Sequence, residues 1–147
     1  MKSTIKTLVI APLAAIVMLA QDAQVTPLLS RDLPESPGKE VLMISVVYPP
    51  GAKDPIHRHN AHAFLYVLEG AVVMQVKGGK ETTLTPGQSF YEGPNDIHSV
   101  GRNASTTQPA KFVVVLVKDK GAPVLLPVDP TTGSASPPQG LKSGEHK

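Results

Sequence analysis

Four of the five histidines fall in two short stretches: GAKDPIHRHNAHAFLYVLEG, from Gly51 to Gly70, and PGQSFYEGPNDIHSVGRN, from Pro86 to Asn103. His57 and His59 stand two residues apart, and side chains in a strand alternate faces, so both imidazoles project to one side. That is how a single strand offers two nitrogen ligands to one ion, although the spacing alone equally fits histidines on a wet strand surface or filling a polar pocket. His98, set just after a Pro/Gly turn, is the third candidate. Three neutral imidazoles suit Fe, Mn, Ni, Cu or Zn and leave coordination positions open for water or a substrate, so a divalent metal is expected without its identity. Glu92, just before the turn that delivers His98, can ligate the ion or hold an imidazole in place. His62 has the wrong parity relative to His57 and His59 and points away from them in a regular strand unless a bulge turns it. Ala63 has the right parity and no donor atom.

These residues need strands to hold them, and the surrounding sequence supplies strand-length runs. VLMISVVY (Val41 to Tyr48) is apolar and β-branched, and PPG then turns the chain. AFLYVLEG, AVVMQVK, KETTL, QSFY and KFVVVLVK follow at short intervals. Gly78–Gly79 between two lysines predicts a two-residue hairpin, and Leu68 to Gly70 a tight bend. The sequence from Gln24 to Lys39, with Pro27, Pro34 and Pro37, reads as an extended lead-in. Several short strands and no sustained 3.6-residue periodicity beyond the N-terminus predict an all-β protein, an antiparallel sandwich or jelly roll. Phe64, Tyr66, Phe90 and Tyr91 border the two stretches as core or pocket wall.

The order of glycine, five residues, HxH, a short apolar run and a closing glycine, followed by a Pro/Gly-rich turn and a lone histidine, resembles the two motifs of the cupin superfamily, in particular a small single-domain, Cupin_2-like member. Gly51, His57, His59 and Gly70 match the first motif; Gly87, the Gly93 to Asn95 turn, His98 and Asn103 match the second. The resemblance covers about half of the chain. It implies a cupin jelly-roll (double-stranded β-helix) barrel with a metal held by His57, His59 and His98. Two departures stand out. Ala63 sits where the family usually has a glutamate ligand, which leaves Glu92 as the favoured replacement over His62. In the second motif Gly93 and Asn95 replace the common proline and glycine of the turn, and Pro94 and the tolerance of Asn for left-handed backbone offset this.

With 147 residues the chain has room for one domain. Lys2 and Lys6 followed by an apolar run from Leu8 to Ala20 have the build of a secretory signal peptide, too short to span a bilayer, which takes about 20 apolar residues. The organisation expected is signal peptide 1–23, cupin domain 24–129 and a disordered Pro/Ser/Gly-rich tail 130–147, with a periplasmic or secreted location and no stable membrane insertion after cleavage. The formal charge of +2 includes both signal lysines; without them 12 basic residues balance 12 acidic ones, so nothing electrostatic favours nucleic acid. Cysteine is absent, which excludes disulfides and a lipoprotein anchor. Function follows the metal: an oxygen-dependent, dioxygenase-like metalloenzyme on a small organic substrate, or alternatively a non-catalytic module that captures a small molecule or metal. The resemblance also allows a homodimer.

Overall fold

The computed structural model describes residues 22–129. The signal peptide and the tail expected from the sequence therefore lie essentially outside the described residues. Ten strands run in chain order: β1 (Gln24–Asp32), β2 (Lys39–Tyr48), β3 (His57–Arg58), β4 (His62–Glu69), β5 (Val72–Val76), β6 (Thr82–Leu84), β7 (Ser89–Glu92), β8 (His98–Asn103), β9 (Ala110–Asp119) and β10 (Leu126–Pro127). They form two five-stranded antiparallel sheets, ordered β1-β2-β9-β4-β7 and β10-β3-β8-β5-β6, and no helix occurs among the described residues. This is the all-β jelly roll expected.

Alternation decides which face is buried. In β4 and β9 every second side chain is covered, the pattern of a strand with one face on a core. Register then stacks the apolar halves. Ile44, Val46 and Tyr48 of β2 oppose Val114, Phe112 and Ala110 of β9, and Ala63, Leu65 and Val67 of β4 oppose Leu116, Val114 and Phe112. Val72, Met74 and Leu84 supply the facing layer from the second sheet. Tyr48 and Phe112 meet edge to face, their ring centroids 4.9 Å apart.

Three local features depart from the simple sequence pattern. The expected lead-in is a nine-residue strand, β1, paired along its length with β2. Its one proline, Pro27, is tolerated because β1 is an edge strand, and a register shift between Pro27 and Leu29 absorbs the missing donor; Pro34 and Pro37 fall in the turn that follows. The Gly78–Gly79 turn is longer than two residues, since β5 ends at Val76 and β6 starts at Thr82. Lys118, the charged residue that closes the KFVVVLVK run, is buried at 3% exposure; its Nζ donates to Glu40 Oε1 at 2.5 Å and to the Ala122 carbonyl at 2.7 Å. The bend after β4 needs glycine. Gly70 has φ 70°, and a Cβ there would stand 2.6 Å from the Pro109 carbonyl oxygen.

Candidate metal centre

Strand pairing gathers the histidines. His57 of β3 is the register partner of His98 of β8, and His59, two residues on, shares the inward face of His57. His57 and His98 are buried and His59 is partly so. One ligand nitrogen from each of the three can be chosen so that all lie within 4.8 Å of one another. The ring centroids of His59 and His98 each lie 4.8 Å from that of His57.

The backbone fixes the tautomers. A carbonyl can only accept, so His57 Nδ1 donates to the Pro55 carbonyl at 2.8 Å, His59 Nδ1 to that of Val124 at 2.6 Å, and His98 Nε2 to that of Val100 at 2.6 Å. Each ring then keeps a lone pair on its other nitrogen. Burial lowers the basicity of all three, and His98 is pushed down to about 3, first by burial and then by His57, so the rings stay neutral. Two lone pairs consequently face each other, His57 Nε2 and His59 Nε2, at 3.2 Å. Acceptors so placed need a cation between them. Two nitrogens each about 2.1 Å from one metal ion are separated by about 3.0 to 3.4 Å, which this spacing meets.

Glu92 is the cross-strand partner of Ala63. The side chain missing at Ala63 leaves room, and the neighbouring strand sends a carboxylate into the same face. Glu92 Oε1 lies 3.3 Å from His98 Nδ1 and Oε2 lies 3.7 Å from His59 Nε2. Both Glu92 Oε2 and His98 Nδ1 are buried without a hydrogen-bond partner. Buried polar atoms of this kind cost about 1–3 kcal/mol each unless something satisfies them, and a divalent cation satisfies both. Burial, reinforced by the Asp96 and Asp54 carboxylates, pushes the Glu92 carboxyl up to about 7. The donor set therefore fits a divalent ion bound by nitrogen and oxygen.

His62 behaves as its parity demands: it is exposed, and its Nδ1 is hydrogen-bonded to the Tyr91 hydroxyl at 2.8 Å. Ala63 is buried and lines the cavity. That cavity, about 560 Å³, has the histidines and Glu92 on one wall and Ile44, Val46, Leu65, Met74, Phe112 and Val114 around it. Two further polar residues escaped sequence reasoning. Tyr48, 1% exposed, donates its hydroxyl to Asp54 Oδ2, and both line the cavity. Burial raises the Asp54 carboxyl, opposed by the Tyr48 hydrogen bond and by His59. The only available signal was the inward parity of Tyr48 with Ile44 and Val46. Asn103 takes a structural part instead: its Nδ2 donates to the carbonyls of Tyr48, Pro49 and Gln108 and its Oδ1 accepts from Ser105 N–H, tying β8 to the turn that carries Gly51.

Residues 44–116 match the family model Cupin_2, described as Cupin domain. No curated protein matches the sequence. Among solved structures, a cupin domain from Bordetella pertussis Tohama I is 23% identical with a TM-score of 0.53, the alignment covering 69% of this chain and 98% of that one. The dimethylsulfoniopropionate (DMSP) lyase DddQ from Ruegeria pomeroyi is 22% identical with a TM-score of 0.51 over 56% of this chain, which spans only 41% of the lyase. An oxalate oxidase in complex with the substrate analogue glycolate is 26% identical with a TM-score of 0.50, covering 64% of this chain and 50% of that one. Sheet order, the family match over residues 44–116 and these neighbours agree on the all-β jelly-roll fold of the cupins.

Proposed function

We propose that this is an exported metalloenzyme in which His57, His59, His98 and Glu92 hold one divalent ion, and that it acts in an oxygen-dependent reaction on a small organic substrate. The observation that carries this reading is the convergence of three carbonyl-anchored imidazoles, lone pairs inward, on one wall of a cavity of about 560 Å³. When bound, the ion supplies Lewis acidity toward a substrate oxygen and, for Fe, Mn or Cu, electron-transfer chemistry. The protein's share is positioning and exclusion. Apolar walls hold the body of a substrate and keep water out, and Tyr48 pins Asp54 so that its carboxylate faces the cavity ready to accept a hydrogen bond from a substrate hydroxyl. Two carboxylates in one apolar cavity disfavour a dianionic substrate and favour phenols and enolisable dicarbonyls. The oxalate oxidase supports small-molecule oxidation on this fold. Elemental analysis of protein purified without added metal comes first. Oxygen consumption is then followed with Fe(II), Mn(II), Ni(II) or Cu(II) and a panel of phenols and dicarbonyls; turnover with one metal is expected, and none with any metal would remove the enzymatic reading.

Ala63, in place of the glutamate expected from the family resemblance, favours a second reading in which the same pocket captures a small molecule or metal without turnover. Saturable ligand binding with no oxygen uptake would establish it. Export rests on the sequence of residues 1–23, and intact-mass measurement locating the mature start between Gln21 and Gln24 tests it. Phe64, Tyr66 and Tyr91, expected as core or pocket wall, instead point outward from the first sheet at 47–49% exposure, and this aromatic face supports a homodimer. Light scattering giving a monomer mass would end that proposal.

A further inference from the structure

A second cavity, about 600 Å³, opens at the end of the molecule where four connections meet: the β1–β2 hairpin, the β3–β4 turn, the β7–β8 turn and the end of β9. It shares no lining residue with the metal cavity. Arg58 is the reason. It lies between His57 and His59, so its side chain leaves the strand on the opposite face from theirs. Its guanidinium has no ion pair or hydrogen bond among the described residues, and its Nε is buried without a partner. A planar fork with five donors, half-buried and unengaged, is the group proteins use to grip a carboxylate through two parallel hydrogen bonds.

The surroundings narrow the ligand. Asn60, with φ 47°, is the one non-glycine residue of left-handed backbone among those described; this turn brings Arg58 and His62 into the wall of one cavity. Lys39 and Asp119 also line it, but Lys39 Nζ is paired with Asp119 Oδ1 at 2.6 Å, leaving one net positive charge, that of Arg58. One net positive charge matches a singly charged ligand better than a dianionic phosphate. Leu33, Ala61 and Val117 give the cavity apolar wall as well. We propose that the cavity around Arg58 is a binding site for a small monocarboxylate with an apolar body, separate from the metal centre and gripped by the Arg58 guanidinium.

Benzoate is the probe, titrated by calorimetry into the full-length protein as purified, with the arginine Nε–Hε resonances followed by NMR. The wild type is expected to bind benzoate saturably, Arg58→Gln to weaken binding at least tenfold, and Arg58→Lys to weaken it because the charge remains but the fork is lost. Inorganic phosphate is expected to bind more weakly than benzoate. His98→Ala, altered only at the metal centre, should keep the wild-type benzoate affinity. Wild-type affinity in Arg58→Gln, or loss of binding in His98→Ala with retention in Arg58→Gln, would overturn the proposal, the latter placing benzoate at the metal. Phosphate binding tighter than benzoate would overturn the carboxylate assignment. Should the Arg58 variants fail to fold, the wild-type spectra decide: one arginine Nε–Hε signal shifting with benzoate supports the site, and none shifting refutes it.

Discussion

Replacing Glu92 by Gln should stabilise the metal-free protein and weaken the metal-loaded one, and the first effect should depend on pH. The carboxyl of Glu92 is held at about 7 against an ordinary 4.5, chiefly by burial. That difference is worth about 3 kcal/mol once the group is fully ionised. In the metal-free chain the folded state binds this proton more tightly than the unfolded state, so stability falls as pH rises from 4.5 through 7 and is constant above. Glutamine has no proton to lose, and its amide donates toward His98 Nδ1 as the protonated acid would from 3.3 Å. In EDTA, urea unfolding followed by circular dichroism should therefore show the variant more stable by about 3 kcal/mol at pH 8 and by no more than about 0.5 kcal/mol at pH 4.5. The histidines, whose lowered basicity removes stability from both proteins as pH falls below 6.5, cancel in the comparison to first order. Addition of a divalent metal should reverse the order at pH 8, because the ionised carboxylate meets the cation it lacked and the variant loses about tenfold or more in affinity. A gain of equal size at both pH values, or no gain at all, would refute the account of Glu92 as a carboxylate waiting for a cation.

Three further outcomes follow from the geometry. His98→Ala should lower bound metal well below one ion per chain by elemental analysis, while His62→Ala, which removes only the contact with Tyr91, should leave the stoichiometry unchanged. Asn103→Ala should cost about 2–4 kcal/mol in urea unfolding by orphaning the carbonyls that its amide now satisfies, and Asn103→Asp should not rescue it, because a carboxylate cannot donate to them. Gly70→Ala should destabilise the protein by about 2 kcal/mol or more, since the added methyl meets the Pro109 carbonyl and the left-handed backbone at once.

Much of the architecture was legible because it depends on local composition and strand parity. Apolar, β-branched runs of strand length pointed to β4 and β9, and strand parity separated inward Ala63 from outward His62 without any knowledge of pairing. What stayed illegible depends on who pairs with whom. Lys118 looks like a charged strand end because its partner, Glu40, arrives from β2, 78 residues earlier. Pro27, Pro34 and Pro37 argue for an extended lead-in because the sequence does not show that β1, which holds Pro27, will be an edge strand. Tyr48 and Asp54 meet across the turn after β2, where no periodicity operates.

The replacement of the expected glutamate shows the same division in one pair of residues. Reading along β4 gives a gap at Ala63, and reading along β7 gives an acidic residue at Glu92; neither strand alone says that the two are neighbours. The β4–β7 ladder makes them directly opposed, so the small side chain on one strand vacates the space that the carboxylate on the other enters. A larger residue at Ala63 would fill that space. Ala63→Leu should therefore expel Glu92 from the histidines and lower metal retention as Glu92→Gln does, and the two substitutions combined should cost little more than either alone, since both remove the same contact. Additive losses in metal affinity would mean that Ala63 and Glu92 act separately, and the cross-strand substitution would not be the reason this centre keeps a carboxylate.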